Sequence, residues 1–208
     1  MSLLHDPELR SLDKSQRRGW IASLSLTAMR LLLAPGVAFL AMARAPGWLL
    51  AALLVAAFLS DVFDGIVARR HSAATAFLRR LDTTADTLFY LAVAFAAWRL
   101  FPDQLLAIKW LVAALILGEG VNHLASFIKF RRGASYHAYS AKIWGLTLFV
   151  ALEVLFATGN ASLLPVSIFV GFAAQVETML ITLVLPEWRH DVAHLGRSLE
   201  LRRGILQG

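Results

Sequence analysis

Apolar residues in this chain form long, nearly unbroken stretches, and the alternation expected of a water-soluble strand or amphipathic helix is missing. They run over residues 20–43, 48–68, 74–100, 105–130, 139–157 and 163–185. A hydrocarbon core needs about 20 mostly apolar residues per spanning helix, so each stretch reads as one transmembrane helix, segments 1 to 6 in chain order. Ahead of them, Asp6, Pro7 and Glu8 have the chemistry of an N-cap, a first-turn proline and a dipole-matched acid. They open a short interfacial helix over residues 1–19, with Leu9 and Leu12 on its apolar face. Residues 186–208 form a polar, basic tail whose 188–203 stretch suits a surface helix on anionic lipid. The expected fold is an all-α integral membrane protein, six transmembrane helices preceded by a short amphipathic helix, with residues 1–208 as a single membrane domain.

Composition agrees with the pattern. Of 208 residues, 58% are hydrophobic and 16% charged, and the mean hydropathy is +0.64; soluble domains carry nearer 25% charged residues. Cysteine is absent, which excludes disulfides, thiolate zinc sites and a cysteine nucleophile. The early charges His5, Asp6, Glu8 and Arg10 interrupt the apolar core a cleaved leader would need, so none is expected. Basic residues are distributed unevenly. Arg10, Lys14, Arg17 and Arg18 precede segment 1; Arg69, Arg70, Arg79 and Arg80 join segments 2 and 3; Lys129, Arg131, Arg132 and Lys142 join segments 4 and 5; Arg189, Arg197, Arg202 and Arg203 follow segment 6. The opposite side holds Arg44, Arg99 and Lys109, and Arg30 lies within segment 1. Lys and Arg gather in cytoplasmic loops, so both termini are expected in the cytoplasm. Trp20, Trp48, Trp98 and Trp188 fall at segment ends and read as interfacial anchors.

Intramembrane carboxylates are costly and mark function by default. Asp61 and Asp64 are three residues apart in segment 2, and Asp82 and Asp86 four apart in segment 3. Either spacing puts its pair on one helix face. Antiparallel packing of the two segments would bring both pairs to one depth. Four such carboxylates demand cations, and an all-oxygen donor set without cysteine or paired histidine selects Mg²⁺, Mn²⁺ or Ca²⁺ over zinc. Two ions would clamp a phosphate and its attacking and leaving oxygens.

The run Asp61-Val62-Phe63-Asp64-Gly65-Ile66-Val67-Ala68-Arg69, then eight residues, Leu78, three residues, Asp82, three residues and Asp86 resembles the CDP-alcohol phosphotransferase (CDP-alcohol phosphatidyltransferase) signature. Thr27, Arg30 and Pro35 in segment 1 also look like this family, and the likeness extends to phosphatidylglycerophosphate synthase-like members. It implies an integral-membrane transferase of phospholipid biosynthesis that moves a phosphatidyl group from CDP-diacylglycerol or a related CDP-linked donor to an alcohol, releasing CMP. Asp61, Asp64, Asp82 and Asp86 would hold two Mg²⁺ or Mn²⁺ ions, with Asp86 also the general base. Gly65, Ala68, Arg69, Thr75 and Leu78 would bind the donor nucleotide and diphosphate. Leu78 is itself a departure, since the family has glycine there. Thr83 and Thr87 likewise replace a proline and a lysine common in the family.

Arg131, Arg132 and Lys142 are the expected acceptor-binding residues, for a phosphate-bearing alcohol with glycerol 3-phosphate the leading choice and inositol phosphate, inositol, serine or a phospholipid the alternatives. A homodimer in a bacterial inner membrane, with its active site facing the cytoplasm, completes the expectation. Glu119 and His123, four apart in segment 4, read first as interhelical glue and second as lining of the acceptor pocket; Glu153 and Glu177 read as structural partners for a buried base or as entries to a hydrated cavity. Nothing in the chain points to nucleic acid. A divalent-cation transporter is the rival from another class, but a conduction path needs polar residues at several depths, and the aspartates cluster at one end of their segments. Membrane prenyltransferases also bind diphosphates through aspartates, yet need more helices than this length provides.

Overall fold

A computed structural model describes residues 13–71, 75–134, 136, 138–189 and 191–206. The expected interfacial helix falls mostly on residues 1–12, outside that set. Every regular element among the described residues is helical: α1 (Lys14–Met42), α2 (Gly47–Arg70), α3 (Ala76–Leu100), the short α4 (Pro102–Ala107), α5 (Lys109–Phe130), α6 (Tyr139–Thr158), α7 (Leu163–Val184) and α8 (Leu195–Leu206). Five of them, α1, α2, α5, α6 and α7, are long and apolar enough to cross a membrane. The protein is an all-helical integral membrane protein. The 25-residue α3, expected as a further span, falls outside that set because Arg79, Arg80, Asp82 and Asp86 crowd its first half.

Two boundaries differ from the hydropathy pattern, each for a local reason. Helix α1 starts at Lys14 instead of near Trp20 because Asp13 and Gln16 form a reciprocal cap. Asp13 Oδ1 accepts from Gln16 N at 2.8 Å, and Gln16 Oε1 accepts from Asp13 N at 3.0 Å; such a box contributes about 1 kcal/mol. The fourth apolar stretch divides into α4 and α5, with Ile108 capping the start of α5.

The chain divides into two compact units, one reaching to Pro102 and including Phe156–Thr158, the other comprising Asp103–Leu155 and the chain from Gly159 onward. In the first, α1 packs extensively against both α2 and α3. Its buried positions, Trp20, Ser23, Thr27, Arg30, Ala34, Val37 and Ala41, recur every three or four residues, which is the stripe one helix face presents. That stripe is polar in its first half and apolar afterwards. Small residues keep the contact close: Ala51 and Ala57 of α2 and Ala85, Ala96 and Ala97 of α3 are buried, as suits membrane helices that gain affinity by packing. Gly19 faces the His71 side chain, which a Cβ there would overlap.

In the second unit α5 packs on α7, and α7 on α8. Tyr136, Ala138, Ile181, Leu185 and Val192 form its buried cluster, with Phe130, Ala134, Leu195 and Leu201 against it. Polar side chains close the helix ends. Lys129 Nζ donates to the Thr182 and Leu183 carbonyls at 3.0 and 2.8 Å near the end of α7. Glu177 accepts the backbone Leu195 N–H at 3.1 Å at the start of α8.

Candidate active site

Helix α2 carries Asp61 and Asp64 in its last turns, and α3 carries Asp82 and Asp86 in its first. The structure brings all four together, and the group that joins them comes from α1. Arg30 Nη1 lies 3.0 Å from Asp61 Oδ1 and in direct contact with Asp86 Oδ1. Arg30 Nη2 lies 2.7 Å from Asp64 Oδ2 and 2.9 Å from Asp82 Oδ1. One turn earlier, Thr27 Oγ1 lies 3.1 Å from Asp64 Oδ2, and Ser23 donates to the Asp64 carbonyl at 3.3 Å. Three helices thus meet at one polar point.

Burial is graded across this point. Arg30 is 1% exposed and Asp64 is also buried, whereas the Asp82 and Asp86 side chains are each 35% exposed and that of Asp61 is 52% exposed. The cluster is closed beneath and open on the Asp61 side. Carboxylate oxygens of Asp61, Asp82 and Asp86 lie within 4.8 Å of one another, a spacing that could hold a metal ion. Four ionised carboxylates against one guanidinium leave an excess of negative charge, and hard oxygen donors are what Mg²⁺ and Mn²⁺ prefer. The donor set therefore fits a divalent metal.

The expected donor-binding residues occupy two neighbouring environments. Gly65 sits under Arg69: a Cβ on Gly65 would meet Arg69 Nη1 at 3.2 Å, so the guanidinium covers the glycine one helical turn away. Ala68 follows on the same helix and is half-buried. Thr75 and Leu78 belong to a packed corner. Thr75 caps α3 by accepting from Leu78 N at 3.2 Å and also accepts from Trp20 Nε1 at 3.1 Å. Leu78 is buried against Trp20, with Leu24 and Phe77 beside it. Trp20 is accordingly a buried hydrogen-bonded residue and not the interfacial anchor its place in the sequence implied; Trp48 and Trp98 remain exposed. On α3, Arg79, Arg80, Thr83 and Thr84 line an open depression of about 650 Å³.

A model of the CDP-alcohol phosphatidyltransferase family matches residues 20–187, a stretch that contains every residue of this cluster. The chain belongs to that family. Neither the curated proteins nor the solved structures contain a match to it. Membership makes the protein a transferase of phospholipid biosynthesis that acts on a CDP-linked donor and an alcohol. The family uses divalent metals, in keeping with the acidic cluster.

The basic residues expected at the acceptor lie in the second unit. Arg131 adopts a left-handed conformation, φ 57°, at the end of α5, and its N–H donates to the Phe127 carbonyl at 2.8 Å. The Arg132 guanidinium lies 4.9 Å from the Trp188 ring, and Lys142 Nζ 5.4 Å from that of Tyr139. Glu119 receives Gln175 Nε2 of α7 at 3.4 Å and pairs with His123 at 3.3 Å, which makes it interhelical glue.

Sequence reasoning missed the centre of the site. Arg30 entered the charge count as a residue outside both loop sets and entered the family likeness as one motif position. The signal was its burial in an apolar segment, since an intramembrane base implies intramembrane acids, and only four were nearby in number and depth.

Proposed function

We propose that the protein is a phosphatidylglycerophosphate synthase-like enzyme that transfers the phosphatidyl group of CDP-diacylglycerol to glycerol 3-phosphate. The convergence of four carboxylates from α2 and α3 on one half-open point carries this reading. Asp61, Asp64, Asp82 and Asp86 hold two Mg²⁺ or Mn²⁺ ions, which when bound neutralise the donor diphosphate. Arg69, lying over Gly65, binds the diphosphate; Ala68, Thr75 and Leu78 shape the neighbouring nucleotide pocket. Asp86 spends Oδ1 on Arg30 and takes the acceptor hydroxyl proton on its other oxygen. The acceptor oxygen then bonds to the phosphatidyl phosphorus, the bond from that phosphorus to the CMP oxygen breaks, and CMP leaves. Arg131, Arg132 and Lys142 bind the acceptor's phosphate, on the chemistry of their charges.

Residues 1–208 work as one domain in this reading, consistent with a family match that runs through both compact units. Helix α3 is a sixth span, with its Asp82 and Asp86 paired to Arg30 of α1. Both termini and the aspartates face the cytoplasm of a bacterium, where CDP-linked donors are made, and the enzyme works as a homodimer. The test is CMP release by purified protein in detergent with CDP-diacylglycerol, Mn²⁺ and separate acceptors: glycerol 3-phosphate, inositol phosphate, inositol, serine and a phospholipid. Release with glycerol 3-phosphate is expected. Release with another acceptor alone would replace the substrate, and no release with any would remove the activity.

A further inference from the structure

Arg30 makes an unusual set of contacts for an arginine. Each Nη serves two carboxylates, so four acids from two helices are held by one group, while its Nε is buried without a hydrogen-bond partner. Guanidinium groups usually engage a carboxylate in a two-pronged fork, and burying an N–H without a partner is unfavourable. The geometry therefore gives up the best arrangement for Arg30 alone in favour of one that reaches every aspartate. Among the described residues no other ion pair reaches these four side chains. Without Arg30 they would be mutually repelling charges in a low-dielectric setting.

We propose that Arg30 is the resident cation of the metal-free site: it holds the four carboxylates in place until divalent ions arrive, and remains beneath them as a positioning residue. The inference rests on reading the aspartates as a metal site. Arg30 takes one oxygen from each carboxylate, Oδ1 of Asp61, Asp82 and Asp86 and Oδ2 of Asp64, so each carboxylate keeps a second oxygen that Arg30 does not bind. Its near-complete burial in α1 keeps it from swinging away. Lysine could not replace it, because a single ammonium with three donors cannot serve four acids.

The test compares wild type with Arg30→Gln and Arg30→Lys in detergent, reading the thermal midpoint in EDTA and in saturating Mn²⁺, with bound Mn²⁺ counted by electron paramagnetic resonance. In EDTA both variants should melt below wild type, Arg30→Lys between the other two. Mn²⁺ should raise the midpoint of Arg30→Gln by at least about twice the rise in wild type, because the ions then supply the only cationic charge. Adding Asp64→Asn to Arg30→Gln should recover stability in EDTA by removing one repelling charge. A deficit of equal size in EDTA and Mn²⁺, with no recovery in the double variant, would make Arg30 a packing residue and overturn the inference while leaving the metal site standing. Wild type that binds no Mn²⁺ would overturn both. Arg30→Gln that cannot be purified even in Mn²⁺, while Arg30→Lys melts alike in EDTA and Mn²⁺, would also overturn it.

Discussion

Among the described residues, two ionic groupings lie on the membrane helices, and they differ in how many helices their ion pairs join. The Arg30 cluster joins α1, α2 and α3 through residues 31 to 56 positions apart in sequence around a guanidinium with 2% side-chain exposure. The Glu119–His123 pair sits on one helix, four residues apart, with side chains 47% and 55% exposed. Proximity alone therefore does not distinguish a site. A charge network that is expensive to bury persists where several helices depend on it or where chemistry needs it, whereas a single-helix pair adds a few tenths of a kcal/mol.

Breaking the first grouping should have the largest effect. Asp61→Asn, Asp64→Asn or Asp82→Asn should each lower turnover at least about 100-fold, the loss of roughly 2.7 kcal/mol of transition-state stabilisation, and weaken Mn²⁺ binding in a titration. Full activity in any of the three would remove that residue from the metal site. Asp86→Asn should lower turnover by about 10²- to 10⁴-fold, the usual worth of a general base, with donor binding retained more fully, as read by CDP-diacylglycerol competition. Equal loss of both would leave Asp86 a ligand only.

Next in size is Leu78→Gly. Leu78 is 4% exposed against Trp20, so the change removes a packed side chain as well as helix propensity, and unfolding free energy should fall by about 3 kcal/mol. Affinity for CDP-diacylglycerol should hold or rise if Leu78 only narrows the pocket; a fall would mean that the leucine shapes a different donor pose. Lys142→Ala or Arg132→Ala should raise the acceptor KM by about tenfold, close to 1.4 kcal/mol for one phosphate contact. No change in KM would return them to surface charges. His123→Ala, the control from the second grouping, should shift stability by no more than about 0.5 kcal/mol, measured by denaturant unfolding. A loss of several kcal/mol would mean that the pair is needed to hold the Glu119–Gln175 contact between α5 and α7.

The helices and the four aspartates were legible because both leave local signals: apolar runs of spanning length, and acids repeated at three- and four-residue intervals. Arg30 was not, since its partners lie on other helices and no period links position 30 to positions 61 and 86. Pairing α2 with α3 placed their acids at one depth but overlooked α1 as the helix on which both pack. Trp20 read as an anchor because a tryptophan at a segment end is ambiguous until its partner, here the Thr75 hydroxyl, is known. The cap at Asp13 was written in Gln16, three residues on, but was hidden by the change from polar to apolar sequence near Trp20.

On this reading the four aspartates form a metal-dependent site for phosphatidyl transfer from a CDP-linked donor. The most direct test is CMP release from CDP-diacylglycerol by the purified protein with acceptor present, first in EDTA and then after Mn²⁺ is restored. No release is expected in EDTA, with full recovery on Mn²⁺ and no recovery in Asp82→Asn. CMP release that continues undiminished in EDTA, or Mn²⁺-loaded protein that binds no cytidine nucleotide, would contradict it.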